Sequence, residues 1–541
     1  MASITQRSGT LGYANAAHLL RRATFGATPA TIQSFATKTA AEALTILFQF
    51  NPAQFPAPRY NGELYLPTVA NPSPVFDPLV HTNQAWLKNW WLHCAMMDNT
   101  IQHKLAFFLH SIFVADDSNS IFTVYDYHEL LKKHANGSLK DLAIRITRNI
   151  RMLFFLDNRL NTLASPNENY AREFLELFTI QKGPQLGPGD YTNYTEQDVQ
   201  QAARVFTGFD GNQGTAATRL NNFDAATGIP QGTVTLTKHD KGNKTFSYAF
   251  GSRVITGRST TAGMVEELQE FITMVFDQSA TARSFARRIY RYFVNRTITP
   301  DIETGIIIPL AETLMQSNYS LQVAVTRLLT SIHFYDEDDA EKGNTIWGAK
   351  VKDPLDFSLC LFRQLRIALP DYVTQNVANY QFYNTRLLTR LGRLDLMLWR
   401  PFDVSGYAPH SKDPQYDRLW ITPITLSARY NDFVDALITG YRHNNLLVQF
   451  DTVLFVRNSG FFTKPSDAAT LVSECYDLLF IAQPVGGRHT YFQDALLGGL
   501  SVINWRNDWN NYISTNNKTT AKVALDRLFK TLIKSPEYQT L

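Results

Sequence analysis

The sequence predicts a mainly α fold: a large, bundle-like body of many helices carrying a small β-hairpin or sheet insertion near residues 211–257. Three observations predict it. Apolar residues recur at helical spacing through most of the 541-residue chain, as in 101–114 and 468–482. Several of these segments open on a capping residue followed by proline or an acid, and others end at glycine, as helices do. Between Gly211 and Gly257 the composition turns to Gly, Thr and Asn, with the short alternating runs Thr233–Thr237 and Ser252–Thr256 that mark paired strands. A chain of this length ordinarily divides. We expect an N-terminal helical lobe over 1–210, a β-rich insertion over 211–260 and a C-terminal helical lobe over 261–541, packed as one body.

The elements follow in order. Residues 15–23 have helical spacing and stop near Gly26, after which Thr28-Pro29 opens a second helix through Phe35. His18, on the first of these, reads more readily as a packed or surface residue than as a ligand. Seven prolines between positions 52 and 78 make that segment a long loop or linker. Residues 83–98, with Trp86, Trp90 and Trp91, and residues 101–114 read as core helices. His110 lies among Phe107, Phe108, Leu109 and Phe113, where an imidazole needs a partner; it is either a hydrogen-bonded core histidine or a metal or acid–base group. Asp116-Asp117-Ser118 reads as an ordinary turn. Helices over 127–133 and 138–150 are divided by Asn136-Gly137.

Ser165-Pro166-Asn167-Glu168 reads as a capping box that starts the next helix. On it Asn169, Arg172, Glu173 and Glu176 fall on one stripe, opposite an apolar face of Tyr170, Ala171, Phe174, Leu175, Leu177 and Phe178. Thr195-Glu196-Gln197-Asp198 repeats the start signal after a Gly/Pro loop. Beyond the insertion the chain is helical again over 264–276, 280–294, 304–317, 321–334, 357–369, 385–398, 431–442, 468–482 and 521–535. The arginines 283, 287, 288 and 291 read as a solvated basic face, and the irregular segment 399–414 could cover a cleft.

A formal charge of +3 gives no reason to expect nucleic acid or an acidic membrane surface as partner. Three distant cysteines, Cys94, Cys360 and Cys475, read as buried thiols. The longest apolar runs, such as Met152–Leu156, fall far short of the ~20 residues of a membrane helix, and the N-terminus lacks the pattern of a signal peptide. The expectation is a soluble chain, cytoplasmic as written, with export by another route left open. Nucleotide-loop, nucleophile-elbow and His-Glu-x-x-His signatures are absent from the sequence.

The blocks His18–Pro29, Lys104–His110, Met152–Asp157, Asn167–Thr179, Tyr194–Val199, Ala203–Gly208 and His239-Asp240, in that order, resemble an uncharacterised bacterial family catalogued as domain of unknown function 1800. Lys352-Asp353-Pro354 and Trp399–Gly406 look like its later landmarks. Many relatives carry a Trp before the histidine that matches His110 and a second histidine two residues after it. Here those places hold Leu109 and Ile112, so a His-x-His ligand pair is unsupported. The resemblance implies no activity.

Chemistry must therefore come from the residues. One reading gathers His110, Glu173, Glu176, His239 and Asp240 around a pocket, holding a divalent metal or acting with Arg172 in acid–base catalysis. Against it, Arg172, Glu173 and Glu176 form a structural ion-pair stripe, and His239 sits exposed in an Asp-Lys-Gly-Asn turn. A second reading is a non-catalytic binding or assembly protein whose long loops dock a protein partner or a second copy of the chain.

Overall fold

The computed structural model describes residues 2–64, 66, 81–118, 120–188, 190–211, 222–339, 345–443, 446–481 and 486–541. Where apolar residues recur every three or four positions the chain is helical, and the fold is mainly helical, at 57%, with small two-stranded sheets. Helix boundaries follow local chemistry. Thr28 accepts from the Thr31 amide at 3.2 Å and Pro29 opens Pro29–Ala36, as expected. The 138–150 segment is two helices instead of one, Leu139–Thr147 and Ile150–Phe155. Asn149 breaks it by accepting from the amides of Arg151 and Met152 at 3.0 and 3.3 Å, a new N-cap. The segment after His110 leaves the helix, so 101–114 shortens to Gln102–His110.

The Ser165 capping box does not form. The amide of Ser165 bonds Thr162 and that of Asn167 bonds Asn161 Oδ1 at 2.9 Å, so the helix begins at Asn169. It then widens into a π turn over Phe174–Phe178. The second box does form: the Thr195 amide donates to Asp198 Oδ2 at 2.8 Å and opens Glu196–Val205. Asp198 also accepts from the Ser247 amide and hydroxyl at 2.7 and 2.6 Å, which ties the β-rich region to this helix. That region is two separate antiparallel pairs, Phe209–Asp210 with Thr233–Val234 and Lys244–Thr245 with Val254–Ile255; residues 212–221 lie outside the described chain. Part of the proline-rich segment also lies outside it, and residues 52–64 form a short helical turn and a hairpin, Arg59–Tyr60 with Glu63–Leu64.

Apolar side chains collect in two cores. One runs from Leu11 to Ile346 and includes the helices Thr261–Phe276 and Ser279–Phe293; the other joins Leu87–Met96 to residues 355–538. The first core extends to Ile346, and the second draws on N-terminal residues such as Phe25 and Phe107 as well as those from Leu355 on. Buried cations join them. On the first helix, Gly12–Ala23, Arg21 donates to the carbonyls of Leu478 (2.9 Å) and Phe480 in one core, and Arg22 to those of Phe293 (2.9 Å) and Ile346 (2.7 Å) in the other. Both guanidiniums sit at helix C-terminal ends, where carbonyls lack partners and the helix dipole favours a cation. Gly26 allows the close approach: at φ +97°, a Cβ there would lie 2.8 Å from Cys360 Sγ. Lys104 pairs with Asp356 across the same boundary. Among the described residues no helix is long and apolar enough to cross a membrane.

Candidate functional site: a cationic pocket between two cores

Burial decides the fate of each predicted site residue, because a buried polar group must find a partner. His110 is buried; its Nδ1 donates to Tyr127 Oη at 3.0 Å, since the Tyr127 hydroxyl is itself donating to the Phe113 carbonyl. Nε2 is buried without a hydrogen-bond partner, and burial pushes the imidazole down to about 3. His239 is buried too, not exposed in a turn: Nδ1 lies 2.9 Å from the Thr207 carbonyl and Nε2 3.3 Å from Glu267 Oε2. The Lys244 ammonium pairs with the same carboxylate oxygen of Glu267.

Asp240 faces away, held by Arg204 at 2.7 and 3.2 Å, which keeps its carboxyl below the ordinary range against the opposing effect of burial. Arg172 grips both oxygens of Glu196 at 2.7 and 2.8 Å and reaches Glu168 at 3.2 Å. Glu176 pairs with Lys182 at 2.7 Å. Glu173 makes no hydrogen bond or ion pair among the described residues, and burial, then Glu176 and Asp403, raise its carboxyl. No three of the five expected metal ligands bring donor atoms within 4.8 Å of one another among the described residues. Asp336, Asp338 and Asp339 do, but Asp336 already accepts from Thr345, and Asp338 meets His333 Nδ1 at 2.7 Å.

A different set converges where the two cores meet. The Ser279–Phe293 helix lays Arg288, Arg291 and Tyr292 along one wall, with Arg296 just beyond its end. Lys350 comes from the strip between the cores, and Val404, Ser405, His410 and Lys412 from the irregular segment over the top. That segment lies close on the helix Gln102–His110 and its exit: Gly406, at φ +87°, has space for a Cβ only 3.0 Å from Val114 and 3.3 Å from the Ser111 carbonyl. The expectation that 399–414 covers a cleft describes this arrangement. The enclosed volume is about 280 Å³.

The lining carries five cations, Arg288, Arg291, Arg296, Lys350 and Lys412, against one carboxylate, Asp417. Most of these charges are spoken for. Arg288 donates to the carbonyls of Leu177 and Phe178 (3.1 Å), at the end of the π turn. Arg291 lies over the Tyr416 ring at 4.7 Å. Arg296 bonds the Ala349 carbonyl at 2.6 Å and reaches Asp417 at 3.5 Å, while the other oxygen of Asp417 takes the Val351 amide at 2.6 Å.

Lys350 is the exception. It is 8% exposed and its ammonium, 5.7 Å from the centre of the Tyr292 ring, makes no hydrogen bond and no ion pair among the described residues. Burial pulls its amine below the ordinary lysine range, outweighing Asp417, Asp353 and Asp356. Two more lining atoms, His410 Nε2 and Ser405 Oγ, are buried without partners. Burial and then the Lys350 charge bring the His410 imidazole down to about 4. Three residues that line the cavity, Lys350, Ser405 and His410, thus each carry a polar atom without a hydrogen-bond partner among the described residues.

Sequence reasoning missed these residues. The arginine run 287–291 was visible, but its reading as a solvated face holds for neither Arg288 nor Arg291, because the π turn and residues 404–417 cover that helix. Lys350 carries no local signal; its setting depends on two cores meeting. No curated protein and no solved structure matches the chain. The family model described as "Protein of unknown function (DUF1800)" matches residues 18–540, and the chain belongs to that family.

Proposed function

We propose that this protein binds a small anionic organic molecule in the pocket between its two cores, with Lys350, Ser405 and His410 supplying hydrogen bonds and Arg291 and Arg296 supplying charge. The observation that carries this reading is Lys350, a largely buried residue whose ammonium makes no hydrogen bond and no ion pair among the described residues, in a lining of five cations and one acid. A largely buried charge with no direct ion pair is costly even with Asp417, Asp353 and Asp356 in its surroundings, and a carboxylate or phosphate that enters offsets that cost while accepting from several donors at once. The volume suits a ligand of a few carbon atoms plus its anionic group.

Thermal melting against inorganic phosphate, sulfate and short mono- and dicarboxylates tests it. A saturable rise in Tm is expected with at least one of them, and it should vanish in Lys350→Met. An equal rise in the variant, or only a gradual drift with ionic strength, would show that the pocket does not bind the anion.

Metal-dependent catalysis by the His/Glu/Asp set finds less support, since Lys244 already supplies the cation beside His239 and Glu267. Protein purified without chelator should carry no ion that Glu173→Ala or His239→Ala releases. A stoichiometric ion lost in either variant would revive that reading.

A further inference from the structure

We propose that Lys350 is a nucleophile that forms an imine with the carbonyl group of an anionic aldehyde or oxo acid bound among Arg291, Arg296 and Ser405. The inference rests on the anion-binding reading and adds a substrate class and a covalent step to it. Its basis is the placement of the amine. Lys350 lines the cavity, is buried, and is held by no carboxylate within ion-pair distance. Surface lysines are kept protonated by water and often by a paired acid; Lys518, for example, pairs with Asp451 at 2.5 Å. Lys350 has no paired acid among the described residues, and it shares its pocket with four other cations. Desolvation is the setting that frees an amine lone pair. Asp417, Asp353 and Asp356 face it from one side and Lys104 from the other; burial outweighs the carboxylates and the amine titrates low.

The step balances within the pocket. The neutral Nζ attacks the carbonyl carbon, a C–N bond forms, and the π pair moves to oxygen. A proton passes from nitrogen to that oxygen, giving a carbinolamine; protonation of its hydroxyl lets water leave and the C=N bond form. The sum is amine plus carbonyl compound giving imine plus water, with no oxidant or reductant. His410 Nε2, buried, unpartnered and within range of the Lys350 charge, is placed to relay that proton. The arginines would hold the carboxylate or phosphate of the same molecule, fixing its carbonyl against the amine.

The test is borohydride trapping on the full chain. The protein is incubated with stoichiometric pyridoxal 5′-phosphate, a phosphorylated aldehyde, or with glyoxylate, an oxo acid, then reduced and mapped by mass spectrometry. Label should reach Lys350 ahead of exposed lysines, and excess inorganic phosphate should suppress it. Lys350→Arg, which keeps the charge but cannot form the imine, should lose this label. Label on Lys412, which lines the same pocket, or spread evenly over exposed lysines would overturn the imine while a Lys350-dependent phosphate effect upheld anion binding. Failure of both the label at Lys350 and the phosphate effect would overturn both.

Discussion

At Lys350 burial and charge oppose each other, and among the described residues no hydrogen bond or ion pair offsets the cost beyond the more distant Asp417, Asp353 and Asp356. Such residues mark sites where stability has been traded for function. Lys350→Met removes the charge and keeps the length, so the ligand-free variant should be more stable than the parent by roughly 1 kcal/mol or more; a lower stability by denaturant titration would show that the ammonium is already satisfied. Histidines supply a pH test. His110 is neutral in the fold until about pH 3, whereas in the unfolded chain it takes its proton near 6.5. Its contribution is therefore complete above pH 6.5 and is lost as pH falls from there toward 3, about 2 kcal/mol of it by pH 5. His110→Asn, which keeps a donor toward Tyr127, should flatten the fall in stability between pH 6.5 and 4; an unchanged slope would mean that His110 is protonated in the fold.

Among elements, the clearest lesson is the pair of predicted capping boxes. Thr195–Asp198 formed because nothing nearby competes for Asp198 except Ser247, which it accepts as well. Ser165–Glu168 did not, because Asn161 and Thr162, adjacent only through the turn before them, captured its amides. A local pattern fails where a neighbouring turn captures the same amides. The helix that follows was read correctly for its apolar face, yet its charged stripe serves to join elements: Arg172 reaches Glu196 on the next helix, and both side chains are about one-third exposed, at 34 and 37%. Solvent screens such a pair, so Arg172→Ala should cost no more than about 1 kcal/mol. Asp198→Ala, which leaves the buried Ser247 amide without an acceptor, should cost about 1–3 kcal/mol. If thermal and denaturant unfolding rank these two the other way, the ion-pair stripe matters more than the tie between helix and insertion.

At the scale of the molecule, helical content was legible from periodicity, whereas the division of the core was not. The helices between 261 and 334 pack with the N-terminal core because Arg22 and the apolar face of Ser279–Phe293 join them to the first helix, contacts separated by more than 250 residues in sequence. The pocket inherits that illegibility: Lys350, Arg291 and His410 belong to three segments that only the meeting of the cores brings together. Arg22→Met leaves the carbonyls of Phe293 and Ile346 without this donor and should cost about 3–5 kcal/mol, with early loss of the pocket's anion response. The central claim, that a small anion completes the charge balance at Lys350, is tested most directly by melting the parent and Lys350→Met side by side, without anion and with a saturating one from the panel. The account predicts that the order inverts, the variant being the more stable without anion and the parent with it. Curves that keep the same order and spacing in both conditions would contradict it.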